Sequence, residues 1–190
     1  MKNKNSFLKN LLEIIISVTI IVFILIKFIV MPCVVNGKSM LPTLKENERV
    51  YSFIITRNIG IKRFDICVIK TENEGKEKLL VKRVIGLPND VIEYKNNVLY
   101  VNGVLTEEDF LADVNTQDLK IVLGNDEYYC LGDNRDISKD SRYYGPFNKE
   151  QILATNAFVL YPFSEFGVKK WQFNGFLVIC KKPEDKWRNN

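Results

Sequence analysis

The stretch Gly37-Lys38-Ser39-Met40-Leu41-Pro42-Thr43-Leu44 presents one hydroxyl in a segment that cannot be regular helix. Gly37 permits positive φ, and Pro42 pushes Leu41 towards an extended conformation. A rigid extended segment carrying one serine just beyond a long apolar run is a platform for a nucleophile; the alternative is an ordinary loop serine. The 190-residue chain contains no histidine. A Ser-His-Asp triad and a histidine-ligated zinc site are therefore excluded; in a serine hydrolase another side chain must then take the proton, and lysine is the usual substitute.

Lys82 stands among Leu80, Val81, Val84 and Ile85, a run with strand character. If its side chain points inward, burial disfavours the ammonium. An ordinary lysine has a pKa of about 10.4, so a base working near neutral pH needs it lowered by about 3, or about 4 kcal/mol. If it points outward it is one more solvated lysine. Arg83 points the other way along a strand and stays protonated, so it can serve only as a structural partner. The third chemical stretch, residues 132–145, packs three aspartates, two arginines and two serines between Gly132 and Gly145. Asx turns in a solvated loop would explain it. So would a shell that pairs aspartates with arginines while a hydroxyl orients an amine, because fixing a free lysine stem costs about 2 kcal/mol of rotamer entropy.

Other features narrow the classes. Four cysteines, Cys33, Cys67, Cys130 and Cys180, are widely spaced with no C-x-x-C, which argues against metal binding and leaves any disulfide pairing open. The formal charge is +4, but without Lys2, Lys4, Lys9, Lys27 and Glu13 the chain from Pro32 onward holds 23 basic and 22 acidic residues. No basic face calls for nucleic acid.

These groups have to be positioned by a membrane segment and one domain. Residues 1–10 are polar with three lysines; residues 11–31 are apolar, and as a helix would span about 31 Å, the thickness of a hydrocarbon core. A removable signal peptide is the competing reading, but apolar sequence resumes at Phe28 and no A-x-A-like site follows. The early lysines place the N-terminus in the cytoplasm and the rest outside. Strand-like runs follow at 49–56, 64–69, 79–85, 90–94, 98–101, 128–131, 152–161 and 175–180, with a hairpin around Lys95-Asn96-Asn97 and a tight turn at Asn102-Gly103. Residues 106–120 read as loop or one short helix. The expected architecture is a mostly β domain from 32 to 190, with a small inserted β subregion at about 95–127 and a polar, disordered tail at 181–190. Met40, Leu41, Phe163 and Trp171 are candidates to dip into lipid or simply to fill the core.

Three stretches together resemble type I signal peptidases, membrane-anchored Ser/Lys proteases: S-M-x-P-T-L at 39–44, K-R-V-I-G-L-P at 82–88 and G-D-N-R-x-x-S-x-D-S-R-x-x-G at 132–145. The weaker family segment before the lysine is present as Arg63-Phe64-Asp65-Ile66. The resemblance, Gram-positive in character, implies a β-rich catalytic domain without cofactor or metal. It implies Ser39 as nucleophile, its backbone N–H as an oxyanion donor, and Lys82 as general base. Ser138 would orient that lysine, with Asp133, Arg83, Asp140 and Arg142 as supporting pairs. Substrates would be secretory preproteins with small residues at −1 and −3, cut at the outer face of the cell membrane. Asn89 stands where many members have glycine, and Gly37 leaves the second oxyanion donor unnamed. A self-cleaving repressor-type protease shares Ser/Lys chemistry but needs a DNA-binding domain in place of an anchor, and a silent partner-binding domain would not need an intact Ser39/Lys82 pair.

Overall fold

A computed structural model describes residues 2–73, 75–111 and 116–161. The chain opens with a long helix, α1 (Lys2–Ile29), whose stretch from Phe7 to Ile29 is long and apolar enough to cross a membrane. Within that stretch Ser17 and Thr19 donate to the Glu13 and Ile15 carbonyls, each at 2.8 Å, the internal pairing that a polar group in hydrocarbon would need. The helix ends at Ile29, two residues before the apolar run does, because Val30 and Met31 pair into a sheet.

Among the described residues the main sheet has seven strands. In chain order they are β1 (Val30–Val34), β2 (Arg49–Phe53), β3 (Ile66–Asn73), β4 (Lys76–Gly86), β9 (Glu127–Leu131), β10 (Phe147–Asn148) and β11 (Ile152–Tyr161). Their spatial order is β1-β2-β11-β3-β4-β9-β10, every neighbouring pair antiparallel. A second sheet of four strands, in the order β7-β6-β5-β8, is inserted between β4 and β9: β5 (Val91–Lys95), β6 (Val98–Val101), β7 (Val104–Thr106) and β8 (Leu119–Val122). Its turns follow from asparagine's tolerance of left-handed backbone. Asn96 and Asn97 have φ of 51° and 64°, and Asn102-Gly103 have 54° and 79°. Asn89 adopts φ of 66°, so it serves in place of glycine at that turn. No helix forms among the described residues of 106–120; β7 and β8 flank that stretch.

Three apolar clusters hold these layers. Cys67, Ile69, Leu80, Val84, Cys130 and Ile152 pack together from β3, β4, β9 and β11. Ile85, Ile92, Tyr94, Leu99 and Leu131 fasten the inserted sheet to the ends of β4 and β9. Val35, Met40, Leu44, Val50, Ile66 and Val159 form the third, closing over the Ser39 segment. Met40 is 1% exposed, so it belongs to this core and not to a lipid-facing surface. Phe163, Trp171, the strand expected at 175–180 and the tail expected at 181–190 lie outside the described residues.

Candidate active site

The Ser39 segment is held from both sides. Gly37 sits at φ of 92°, a value that disfavours any other residue, and the Leu41–Pro42 peptide bond is cis. Met40 and Leu44 are buried one turn apart, with the Leu44 N–H on the Met40 carbonyl at 2.8 Å. Ser39 itself remains half-buried and facing a cleft. Lys82 lies on β4 opposite Cys67 of β3 and is only 3% exposed. Its Nζ donates to Ser39 Oγ at 2.7 Å. The two residues are 43 positions apart, and the sheet brings them into direct contact.

Burial lowers the Lys82 pKa to about 8, and the nearby Lys78 ammonium pushes the same way; Asp140 and Asp133 oppose them. An amine in this state is neutral often enough near physiological pH to accept a proton.

The loop after β9 forms the other wall. Asn134 donates its backbone N–H to the Ser39 carbonyl at 3.0 Å. Asp133 takes Arg83 bidentately, from Nε at 2.8 Å and Nη2 at 2.6 Å, with both side chains buried. Arg83 also donates to the Phe64 carbonyl at 3.0 Å and lies 4.0 Å over the Phe110 ring. Asp140 accepts from Arg142 Nε and Nη2, both at 2.9 Å, and from the Gly132 N–H at 3.0 Å. Burial by itself would raise the Asp140 carboxyl, but Arg142 and these N–H donors outweigh it and hold it below the ordinary carboxylate value.

Ser138 is where the expectation and the geometry differ. Its Oγ is buried and makes no hydrogen bond of normal geometry among the described residues, to Lys82 or to anything else. It still faces Asp140 closely enough to help hold that carboxylate low. A Cβ on Gly132 would come within 2.2 Å of Ser138 Oγ and 2.5 Å of the Ser39 carbonyl oxygen. That glycine therefore lets the hydroxyl and the Ser39 backbone approach each other. The Ser39 backbone N–H has no partner among the described residues.

Three sets of contacts escaped the sequence reading. Thr43 donates to Asp133 Oδ2 and accepts from Arg83 Nη2 at 3.2 Å; it lies in the serine motif, but its hydroxyl had no visible partner there. Arg135 is buried and pairs with Glu108 at 2.6 Å while donating to Tyr94 Oη at 2.9 Å. This pair ties the 132–145 loop to the inserted sheet, and nothing in local sequence connects residues 27 positions apart. Cys67 and Cys130 bring their sulfurs to 3.8 Å yet are free thiols. They sit on strands separated by β4, so their backbones are about 9–10 Å apart, beyond disulfide reach.

The family model described as "Signal peptidase, peptidase S26" matches residues 8–161. The chain belongs to the type I signal peptidase family. Signal peptidase IB of Staphylococcus aureus (strain MRSA252) is 40% identical over 189 residues, covering 87% of this chain and 96% of its own. Signal peptidase I S of Bacillus subtilis (strain 168) is 39% identical over 183 residues, covering 87% and 97%. A solved signal peptidase I from Enterococcus faecalis V583 aligns with a TM-score of 0.46 at 32% identity, over 50% of this chain and 96% of that one. This signal peptidase is accordingly a hydrolase of peptide bonds, and its N-terminal apolar helix fits a membrane-anchored member of the family.

Proposed function

We propose that this signal peptidase cleaves secretory preproteins through an acyl-enzyme on Ser39, with neutral Lys82 as general base. One observation carries the reading: the 2.7 Å contact between Ser39 Oγ and an amine whose pKa burial has lowered to about 8. At pH 7.5 about a quarter of such lysines are neutral, against about 0.1% at the ordinary value. Lys82 Nζ takes the Ser39 proton as Oγ attacks the scissile carbonyl, then gives it to the leaving amine. Water enters next, Lys82 removes its proton, and the acid product leaves with Ser39 reprotonated. The Ser39 backbone N–H serves the oxyanion. Asp133, Arg83, Asp140 and Arg142 hold the two walls at their separation.

The substrate lies extended in a cleft of about 720 Å³ between residues 32–40 and residues 78–82. Among the described residues, two strand edges are unpaired there: β1 is the last strand of its sheet, and β4 pairs with β9 only from Arg83 onward, so backbone groups on both sides can take an added strand. Buried Val35, Met40 and Leu80 line the cleft near the pair, which suits small side chains at −1 and −3. The anchor runs from a cytoplasmic N-terminus to an outer-face catalytic domain and confines enzyme and precursor to one plane.

Cleavage of a secretory precursor by the wild type beside Ser39→Ala, with N-terminal sequencing of the product, tests this. The wild type should release one mature N-terminus and Ser39→Ala none. Equal cleavage by both would refute the reading. Protease added to intact cells should reach residues beyond Pro32; full protection would refute the orientation.

A further inference from the structure

The cleft beside Ser39 and Lys82 carries three more lysines. Lys38 precedes Ser39, Lys78 lies on β4 four residues before Lys82, and Lys139 lies on the 132–145 loop. All three are exposed. No carboxylate stands among the described residues lining the cleft. None of the three pairs with a described acid, whereas Lys70 and Lys120 on the same sheets pair with Glu77 and Glu93. The chain beyond the anchor is close to neutral, so the positive cleft is a local arrangement. The Lys139 ammonium lies 5.2 Å from the centre of the Tyr143 ring.

Topology says which part of a substrate meets these charges. Neighbours along β1-β2-β11-β3-β4 are all antiparallel, so β1 and β4 run in the same direction. β1 leaves α1 and leads to Ser39, which puts the start of β4 on the α1 side of Lys82. A signal peptide with its apolar segment in the bilayer beside α1 enters from that side. Its residues before the scissile bond therefore pass along the first half of β4. At about 3.3 Å per residue, Lys78 stands about 13 Å before Lys82, matching four to six residues before the bond.

We infer that this cleft selects precursors carrying an acidic side chain four to six residues before the cleavage point, with Lys78 as the residue that reads it. Lys38 and Lys139 add to the positive field nearer the scissile bond. The inference rests on the proteolytic reading above. An ammonium–carboxylate pair in a half-open cleft is a modest interaction, so the expected discrimination is about three- to tenfold, and salt-sensitive.

The test uses the full chain in neutral detergent micelles and three quenched fluorogenic peptides that differ only at −5: Glu, Gln or Lys. The predicted order of kcat/KM is Glu, then Gln, then Lys, with a Glu/Gln ratio of about three to ten at low salt that falls towards one near 0.5 M salt. Lys78→Glu should reverse the order, and Lys139→Glu should keep it. Ratios are taken within each enzyme, so any change in Lys82 cancels. A wild-type Glu/Gln ratio of one, or an order unchanged by Lys78→Glu, overturns the inference. A ratio of one with Lys78-dependent stimulation by phosphatidylglycerol would assign the lysines to a lipid headgroup instead. If no peptide is cut at all, the proteolytic reading fails and the inference with it; cleavage of the Gln peptide keeps the two failures apart.

Discussion

Replacing Lys82 with methionine should stabilise the protein at neutral pH while abolishing activity. The side chain is 3% exposed, and its pKa falls from 10.5 to about 8 mainly through burial. Below pH 8 the lysine is charged in both folded and unfolded chains, and the folded state carries the full desolvation penalty. Between pH 8 and 10.5 the folded state has released its proton and the unfolded state still holds it. The wild type therefore gains stability as pH rises through that window, by about 3 kcal/mol in all. Methionine removes the titration. The stability difference between variant and wild type should be largest at pH 7 and shrink by about 2 kcal/mol by pH 9.5, whatever methionine contributes by packing. In thermal unfolding of the full chain in micelles, followed by circular dichroism, that is a change of roughly 4–8 °C in the Tm difference. A Tm difference that stays constant from pH 7 to 9.5 would refute the claim that Lys82 is held with a lowered pKa.

Gly132→Ala should reduce kcat/KM by at least about a hundredfold, since displacements near 1 Å at a reacting pair have that effect, and a Cβ there would strike the Ser39 carbonyl oxygen. Wild-type kinetics in that variant would show that the close approach is not needed. Asp133→Ala leaves the Arg83 guanidinium buried without its partner and should lose about 3–5 kcal/mol in chemical denaturation; a loss under 1 kcal/mol would mean Thr43 and Phe64 suffice to hold the arginine. Ser138→Ala removes a buried hydroxyl that lacks a hydrogen bond, so stability should change by less than about 1 kcal/mol. Its kcat should nevertheless fall if the hydroxyl turns to Lys82 with substrate bound, and unchanged kcat would remove Ser138 from the machinery.

Much of the scaffold was legible because its signals are local. Alternating β-branched runs became β4, β5 and β11, and the asparagine-rich turns closed the hairpins of the inserted sheet because asparagine reaches left-handed backbone cheaply. The pairing of Ser39 with Lys82 was legible only through motif order, since the contact is made by antiparallel pairing across five strands. What stayed hidden was non-local. Met40 is open to lipid or core on sequence alone, and its packing with Val50 and Val159 makes it a core position. The Arg135–Glu108 pair depends on the inserted sheet folding back against the loop, and no periodicity encodes that. Lys38, Lys78 and Lys139 are far apart in sequence and carry no shared local signal, and only the shared cleft makes them one electrostatic feature.

The pH dependence of kcat/KM on a precursor peptide tests the central claim most directly. With Lys82 as the base on Ser39, the rate should rise tenfold per pH unit below about pH 8 and level off above it, and Lys82→Ala and Lys82→Arg should show no such limb because neither can accept the proton. A rise confined to the region near pH 10.5, or full activity in Lys82→Ala, would contradict it.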